Sequence, residues 1–353
     1  LPLMVRNGQL DVAWGSWIAS ANYAGYLVGA LTAARLRLGA RALAVAALVL
    51  TAVVTAAMAW PLGAAAWMTL RFAAGVCGAW VFVATASWCL GALAAAGRPS
   101  LAGVVYSGVG VGVALAGSYC LVGSAAGASA QSLWLQLGAV ALALAVAVAA
   151  VLERMPALAP MAPASAPAGV AAGSWPLVIC YGAFGFGYIL PATFLPLLAR
   201  SLVDDPRLFG LAWPLFGATA AVSTLLAGWV TRHASRLRVW AASQLLMGIG
   251  VLLPSLWRSG MTIALSALFV GATFMVITML GVQEIRARAG GNAARLVARM
   301  TAAFAVGQIG GPVASALLVR SVGGRGLDVA LQAGAAGLLG TGLWLWRRSS
   351  VEQ

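Results

Sequence analysis

Residues 132–180 read SLWLQLGAVALALAVAVAAVLERMPALAPMAPASAPAGVAAGSWPLVIC, and this stretch decides the fold class. Its first part, 132–152, contains no charged residue and is long enough to cross a membrane, because a hydrocarbon core about 30 Å thick needs about 20 helical residues. The next part, 153–174, contains four prolines, which a continuous helix does not tolerate. A second apolar run begins at Trp175. The stretch predicts a membrane-spanning helix, a loose linker and a further membrane-spanning helix.

The composition extends this prediction to the whole chain. Apolar residues occupy 62% of the 353 positions and charged residues only 8%, whereas soluble proteins carry about 25% charged residues. A soluble domain with so few charges could not cover its surface with polar groups. The 43 glycines and 14 tryptophans are typical of membrane helices that pack on small residues and carry aromatic anchors. The sequence therefore predicts an all-α polytopic membrane protein embedded in a lipid bilayer.

The net charge of +14 does not indicate a nucleic-acid partner. The 21 basic residues are scattered between long apolar runs, and no basic face with interleaved aromatic residues can be assembled from them. The four cysteines also fall inside apolar runs and lack the spacing of zinc ligands. We therefore expect no nucleic acid, no metal and no cofactor.

Eleven apolar runs are long enough to span a bilayer. They cover 14–36, 42–60, 64–90, 101–124 and 132–152 before the linker, and 175–199, 208–230, 237–257, 261–282, 300–319 and 327–346 after it. The predicted domains are an N-terminal half (1–152), a cytoplasmic linker (153–174) and a C-terminal half with a short tail (175–353). With the linker inside, fourteen arginines are cytoplasmic and six are external, so the positive-inside rule predicts a cytoplasmic C-terminus.

Short matches between the halves predict an internal repeat. The pairs are 1–4 (LPLM) with 195–198 (LPLL), Gly29 and the arginines after it with Gly228 and the arginines after it, and 106–117 (YSGVGVGVALAG) with 304–315 (FAVGQIGGPVAS), at offsets of 194, 199 and 198. The first pair aligns the start of the chain with the end of a helix. We therefore expect a first helix, and with it part of a binding site, ahead of Leu1. Its addition gives two six-helix halves.

The segment 29–41 (GALTAARLRLGAR) and its counterpart 228–238 (GWVTRHASRLR) each begin with a glycine and continue with basic residues. Two further segments are 17–31 (WIASANYAGYLVGAL) and 71–79 (RFAAGVCGA). Together they resemble the major facilitator superfamily, and within it the YbfB/YjiJ-type branch. The resemblance implies a monomeric transporter in the bacterial inner membrane that takes a small-molecule substrate, and possible proton coupling. It implies gating loops at Gly29, Arg35, Arg37, Arg41, Gly228, Arg232 and Arg236. Both loops lack the aspartate of the family motif.

Arg71 lies within a predicted span, where a charge costs about 2.5–3.5 kcal/mol on insertion scales. Such a residue either faces an aqueous cavity or extends its charge to the interface. If Arg71 faces a cavity, it favours an anionic substrate, such as an organic anion with a carboxylate.

Four more residues are candidates for substrate binding, namely Asn22, Tyr23, Tyr26 and Gln308. Asn22 and Tyr26 lie four residues apart on one helix face, beside a stripe of small residues that includes Gly25 and Gly29. These polar side chains either line a pathway or form hydrogen bonds across helices. Gln308 precedes Gly310-Gly311-Pro312, which we expect to weaken its helix.

The glycines at 108, 110, 112 and 117 do not indicate a dinucleotide-binding loop, because no strand precedes them and the segment is apolar. We expect them to allow tight helix packing instead. Proton coupling needs a titratable group in the membrane, and the candidates are Asp11 and Glu284. The alternative is that both are helix-end charges in water.

Three functional classes fit a polytopic chain. A transporter agrees with the repeat, because alternating access uses two related halves. A membrane-embedded enzyme would need catalytic carboxylates, histidines or a metal cluster at one interface, and none is found in the sequence. A non-transporting scaffold does not require the repeat. We therefore predict a secondary active transporter rather than an enzyme.

Overall fold

The computed structural model describes residues 3–4, 8–10, 12–33, 35–36, 38–154, 174–200, 211–289, 293–322 and 325–351. Every regular element in these ranges is helical. The eleven long helices are α1 (Val12–Ala33), α2 (Ala40–Ala57), α3 (Ala64–Ala95), α4 (Ala102–Ala125), α5 (Ala130–Glu153), α6 (Trp175–Arg200), α7 (Ala212–Val230), α8 (Arg236–Leu256), α9 (Gly260–Ala289), α10 (Ala293–Val322) and α11 (Gly326–Val351). A short 3₁₀ turn, Pro99–Leu101, precedes α4.

Each predicted span is a helix, which confirms the all-α prediction. Within the described ranges, ten helices are both long and apolar enough to cross a membrane. The remaining helix, α1, is 22 residues long but carries Asn22, Tyr23 and Tyr26. Two helices extend well beyond the predicted ends: α9 continues to Ala289 and α10 begins at Ala293. Both extensions carry arginines, which lower the local hydropathy. The spans predicted from hydropathy therefore ended before the helices do.

Local sequence explains several helix ends. Ser129 caps α5, because its hydroxyl accepts a hydrogen bond from the backbone nitrogen of Ser132 at 3.1 Å. Ser235 caps α8 in the same way through the backbone nitrogen of Arg238 at 3.3 Å. Gly127, just after α4, has a φ of 81°, a left-handed conformation that ends a helix at little cost only for glycine.

The surface is strongly apolar. Leu115 on α4 is 67% exposed, Leu144 on α5 is 62% exposed and Leu226 on α7 is 57% exposed. Many further leucines, valines and tryptophans are exposed in the same manner. Soluble monomers rarely expose continuous apolar areas larger than about 300–600 Å². The exposed apolar side chains therefore face lipid.

The chain forms two compact units, and each contains segments from both predicted halves. Unit 1 consists of Leu1–Ala92, Val122–Ala168 and Gly291–Ala305. Unit 2 consists of Leu93–Leu121, Gly169–Gly290 and Val306–Gln353. The first part of α10 thus belongs to unit 1 and its second part to unit 2.

In unit 1, α1 packs closely on α3 and α2 packs on α5. Gly25 lies against the backbone of Phe72, and Gly75 lies against the backbone of Asn22. A methyl group at either glycine would clash with a main-chain atom, so these positions need glycine for the helices to approach. The small-residue stripe predicted for this helix is therefore confirmed at Gly25 and also at Gly29, which contacts α3.

In unit 2, α8 packs on α9 and α11, and α6 packs on α9 and α11. A separate contact joins α4 to α7 along a row of glycines. Gly110 faces the backbone of Gly217 and Ala221, and Gly117 faces Pro214. The prediction of tight packing is confirmed for Gly110 and Gly117. It is wrong for the glycines at 108 and 112, which have nothing within 4 Å, because they lie on the other side of the helix.

Candidate functional site

The backbone of Arg71, on α3, is fixed by contacts with α1. The side-chain amide of Asn22 donates a hydrogen bond to the carbonyl oxygen of Arg71 at 2.9 Å. The adjacent residue, Phe72, lies against Gly25 of α1. Contacts with α1 therefore fix the backbone position from which the Arg71 side chain extends.

The guanidinium group of Arg71 has unused hydrogen-bonding capacity. Its Nε atom is buried and has no hydrogen-bond partner. Within the described part of the chain, the ion pairs are Arg236–Glu284, Arg258–Asp328 and Arg288–Glu284, so no described acid pairs with Arg71. The guanidinium carbon lies 6.0 Å from the ring centroid of Trp134 on α5. This distance is at the outer limit of a cation–π contact.

Among the described residues, an apolar cluster adjoins the Arg71 side chain on the side of Trp134. Trp134 and Leu70 pack against a buried cluster that contains Ile18, Met58 and Trp67. The indole nitrogen of Trp134 donates a weak hydrogen bond to the sulfur of Met4 at 3.4 Å. The arginine charge is therefore placed beside an apolar core, where water cannot readily replace a missing partner.

The three binding candidates on α1 have different surroundings. Asn22 forms its hydrogen bond across helices, which is one of the two alternatives that the sequence left open. Tyr23 lies within electrostatic range of Arg71. Tyr26 is farther along the helix and packs with Leu27 against the cluster of Ala30, Ala79 and Ala302. The structure thus brings Asn22 and Tyr23 to Arg71 and places Tyr26 in a separate cluster.

Gln308 lies on α10 and is buried. It follows Gly307, which contacts the backbone of Gly182 and Phe186 on α6. Pro312 lies within α10, which continues through it to Val322. Gln308 belongs to unit 2, whereas Arg71 belongs to unit 1.

Glu284 corrects one interpretation of the sequence. One of the two expectations for Glu284 was a helix-end charge in water, but the residue is only 7% exposed. Its carboxylate accepts hydrogen bonds from Arg236 Nε at 3.2 Å and from Arg288 Nη2 at 2.7 Å. The expectation is wrong because α9 continues beyond residue 282 and buries Glu284 against the start of α8. The other coupling candidate, Asp11, lies outside the described residues.

The gating-loop residues have one clear ionic contact among those described. Arg236 pairs with Glu284 beside a polar cavity of about 320 Å³, which Thr231, Ser235 and Ser349 also line. Arg35 and Arg232 are exposed, and Arg41 is half-buried. Gly29 and Gly228 contact neighbouring helices, and Arg37 lies outside the described residues. Glu284 supplies an acidic partner for the second loop from a different helix.

Two functional or structural features were missed in the sequence. Trp134 is 63 positions away from Arg71, and nothing in the local pattern links them.

Gln244, on α8, is fully buried and joins three helices. Its side-chain oxygen accepts from the indole nitrogen of Trp240 at 2.8 Å, and its amide nitrogen donates to the Cys180 carbonyl at 3.2 Å and to the Thr341 hydroxyl. The signal that could have indicated Gln244 in the sequence is that a glutamine interrupts an apolar run.

Comparisons with known proteins agree with this architecture. The family described as uncharacterised MFS-type transporter YbfB matches residues 1–345, and MFS denotes the major facilitator superfamily. No curated protein sequence matches the chain. The human organic anion transporter MFSD10 (TETRAN) is similar in structure, with a TM-score of 0.61, 18% identity, and coverage of 94% of this chain and 83% of that one.

A second similar structure is FucP, an MFS transporter in the outward conformation. Its TM-score is 0.66 at 14% identity, and the match covers 98% of this chain and 93% of FucP. At such low identity these likenesses show the fold, whereas the family match over residues 1–345 shows the family. The chain is therefore a multi-pass integral membrane protein with the major facilitator fold, and it belongs to the YbfB-type family of transporters, which are not enzymes.

Proposed function

We propose that the chain is a secondary active transporter that moves a small solute across the bacterial inner membrane by alternating access. We further propose that it acts as a monomer with a cytoplasmic C-terminus, and that its halves are 1–152 and 175–353, joined by the linker 153–174. The family match supports transport. The solute class that Arg71 favours is an organic anion, with Asn22, Tyr23, Tyr26 and Gln308 as further candidates for binding.

The close contact between α4 and α7, formed by Gly103, Gly110 and Gly117 and here called the seam, supports alternating access most directly. It joins a helix of the first proposed half to a helix of the second. Gly103, Gly110 and Gly117 recur every seven residues on α4, which places them on nearly the same side of the helix. On α7, Gly103 faces the backbone of Thr224, Gly110 faces Gly217 and Gly117 faces Pro214. Contacts between glycines and backbone atoms need no interlocking of long side chains, so such a seam can slide or separate at low cost.

The ion pairs of Glu284 support a gating role at the proposed cytoplasmic side. Arg236 belongs to the proposed gating loop after α7, and its partner Glu284 is also held by Arg288. With two arginines on its carboxylate, Glu284 is suited to holding the end of α9 against the start of α8. If transport is proton-coupled, Asp11 and Glu284 are our candidates for the coupling group.

Transport in proteoliposomes tests the proposal. The purified protein is reconstituted and presented with a panel of organic anions, organic cations and drugs, with and without a pH gradient. We expect saturable uptake of at least one solute above that of protein-free vesicles, and faster uptake with the gradient if protons are coupled. A scaffold would transport no member of the panel, and that result contradicts the proposal.

The seam provides a variant with a matched control. Gly110→Leu places a large side chain against the backbone of α7, whereas Gly108→Leu extends into open space on the same helix. Overpacking of a close contact costs about 1–3 kcal/mol. We expect Gly110→Leu to reduce uptake of a responsive solute at least about tenfold, and Gly108→Leu to transport like the wild type. Equal activity of the two variants would show that the seam has no part in transport.

A further inference from the structure

The position of Arg71 is preorganised. Its carbonyl oxygen is hydrogen-bonded by Asn22, and the following residue lies against Gly25. The side chain itself is restricted by the burial of Nε and by the Trp134 ring, whose centroid lies 6.0 Å from the guanidinium carbon, so it loses less freedom when it binds a ligand than an exposed arginine would. Arg71 therefore starts from a geometry suited to binding.

The guanidinium group of Arg71 also has an unpaired hydrogen-bond donor. Its Nε is buried without a hydrogen-bond partner, and no acid among the described residues forms an ion pair with it. Buried polar atoms are nearly always hydrogen-bonded in native proteins, and each exception calls for an explanation. A carboxylate accepts two parallel hydrogen bonds from a guanidinium, so it is a natural partner for this donor.

The charge and the surroundings limit what such a partner can be. Arg71 supplies one positive charge, and the Tyr23 phenol on α1 interacts electrostatically with it. The neighbouring cluster of Ile18, Met58 and Trp67 is apolar, and Trp134 presents an aromatic ring beside the guanidinium. A single cation in such surroundings compensates one negative charge but not two.

We propose that Arg71, Tyr23 and Trp134 bind the carboxylate end of a monoanionic solute that has an apolar or aromatic body. Arg71 holds the carboxylate, Tyr23 donates a hydrogen bond to it from its hydroxyl group, and Trp134 contacts the adjoining apolar part. Inorganic phosphate, which carries more charge and no apolar part, is excluded. This inference rests on the proposed transport function and names the class of its solute.

Binding to the purified full chain in detergent tests the site without requiring transport. The probes are acetate, hexanoate, benzoate and hippurate, with their uncharged amides and inorganic phosphate as comparisons. Isothermal titration gives the dissociation constants, and ligand-induced shifts of the melting temperature provide a second measure. We expect hexanoate, benzoate or hippurate to bind at least about tenfold more tightly than acetate, because burial of their larger apolar parts adds to the affinity, and to bind more tightly than the matching amide.

Three variants and one control assign the binding to this site. Arg71→Gln removes the charge, and we expect carboxylate affinity to fall about 10- to 100-fold. Arg71→Lys keeps the charge but loses the paired donors, and we expect an intermediate loss. Trp134→Leu should weaken binding of benzoate more than that of hexanoate, by about threefold to tenfold. Arg98→Gln, which changes an exposed arginine in a loop, should bind like the wild type.

The results separate this inference from the transport function. If carboxylates bind in an Arg71-dependent manner but no panel solute enters proteoliposomes, the site stands and the transport proposal fails. If a solute is transported and Arg71→Lys and Arg71→Gln leave its uptake unchanged, transport stands and the site is wrong. Absence of binding by all four carboxylates, or tighter binding of phosphate or of the amides, also overturns the site.

Discussion

Arg71 in unit 1 and Gln244 in unit 2 are both polar residues inside apolar helices, but their surroundings differ. Gln244 is fully buried, and its amide bonds to groups on α6, α8 and α11. Arg71 has a buried Nε with no partner and no ion pair with a described acid. Gln244 is thus a saturated link between helices, whereas Arg71 retains an unused donor and an uncompensated charge.

The difference predicts opposite contributions of the two residues to the stability of the fold. A buried group whose hydrogen bonds are complete stabilises a helix bundle, and its loss leaves partners unsatisfied. A buried charge without a partner destabilises the fold and persists where function requires it. The two residues should therefore respond oppositely to substitution: one variant should lose function and the other stability.

The largest effect is expected for Arg71→Met, which retains an unbranched side chain and removes the charge. Carboxylate-dependent transport should fall at least about tenfold, because a charge-assisted hydrogen bond is lost. The melting temperature should stay the same or rise, since an uncompensated charge has been removed from apolar surroundings. Uptake assays and thermal melts of the same preparation check both parts. A large fall in melting temperature would make Arg71 a structural residue like Gln244.

The next effect is expected for Gln244→Leu. The indole nitrogen of Trp240 and the hydroxyl of Thr341 lose their partner, so the free energy of unfolding should fall by about 1–2 kcal/mol. Uptake per folded molecule should be nearly unchanged. Gln136→Leu, on the exposed side of α5, is the matched control and should cost less, because its hydrogen bond to the Ser132 hydroxyl is exposed. If Gln136→Leu destabilises the protein as much as Gln244→Leu, the buried network contributes nothing specific.

The smallest of the three effects is expected for Glu284→Gln, which keeps the shape of the side chain and removes its charge. Arg236 is 43% exposed at its side chain and can be hydrated, so we expect a loss of about 1 kcal/mol in unfolding free energy. Arg258→Gln breaks the more exposed pair with Asp328 and should cost less. Chemical denaturation of both variants gives the comparison. A larger loss for Arg258→Gln would contradict the importance of burial at Glu284.

The sequence was sufficient for features that depend on local pattern. Apolar runs located all eleven long helices of the described ranges, and the spacing of small residues indicated that α1 packs closely on a neighbour through Gly25 and Gly29, although not that this neighbour is α3. The contact between α4 and α7 was only partly predictable. Gly110 and Gly117 lie on one side of α4, but Gly108 was grouped with them because periodicity does not show which side meets a partner.

Features that depend on distant residues were not predictable. Trp134 meets Arg71 only because α3 and α5 both pack into unit 1. The burial of Glu284 depends on its contact with Arg236, 48 positions earlier. Its pairing with Arg288 follows the i,i+4 spacing of a helix and could have been predicted from the sequence. Tertiary packing, rather than hydropathy, decides these contacts.

Uptake of the four carboxylates by matched proteoliposomes tests the central claim most directly. Wild type, Arg71→Met and Gln244→Leu are reconstituted at equal amounts of folded protein, and initial rates are measured for each carboxylate. The predicted result is saturable uptake of hexanoate, benzoate or hippurate by the wild type and by Gln244→Leu, and its loss in Arg71→Met. Uptake by Arg71→Met at the wild-type rate would contradict the assignment of Arg71 as the solute-binding cation.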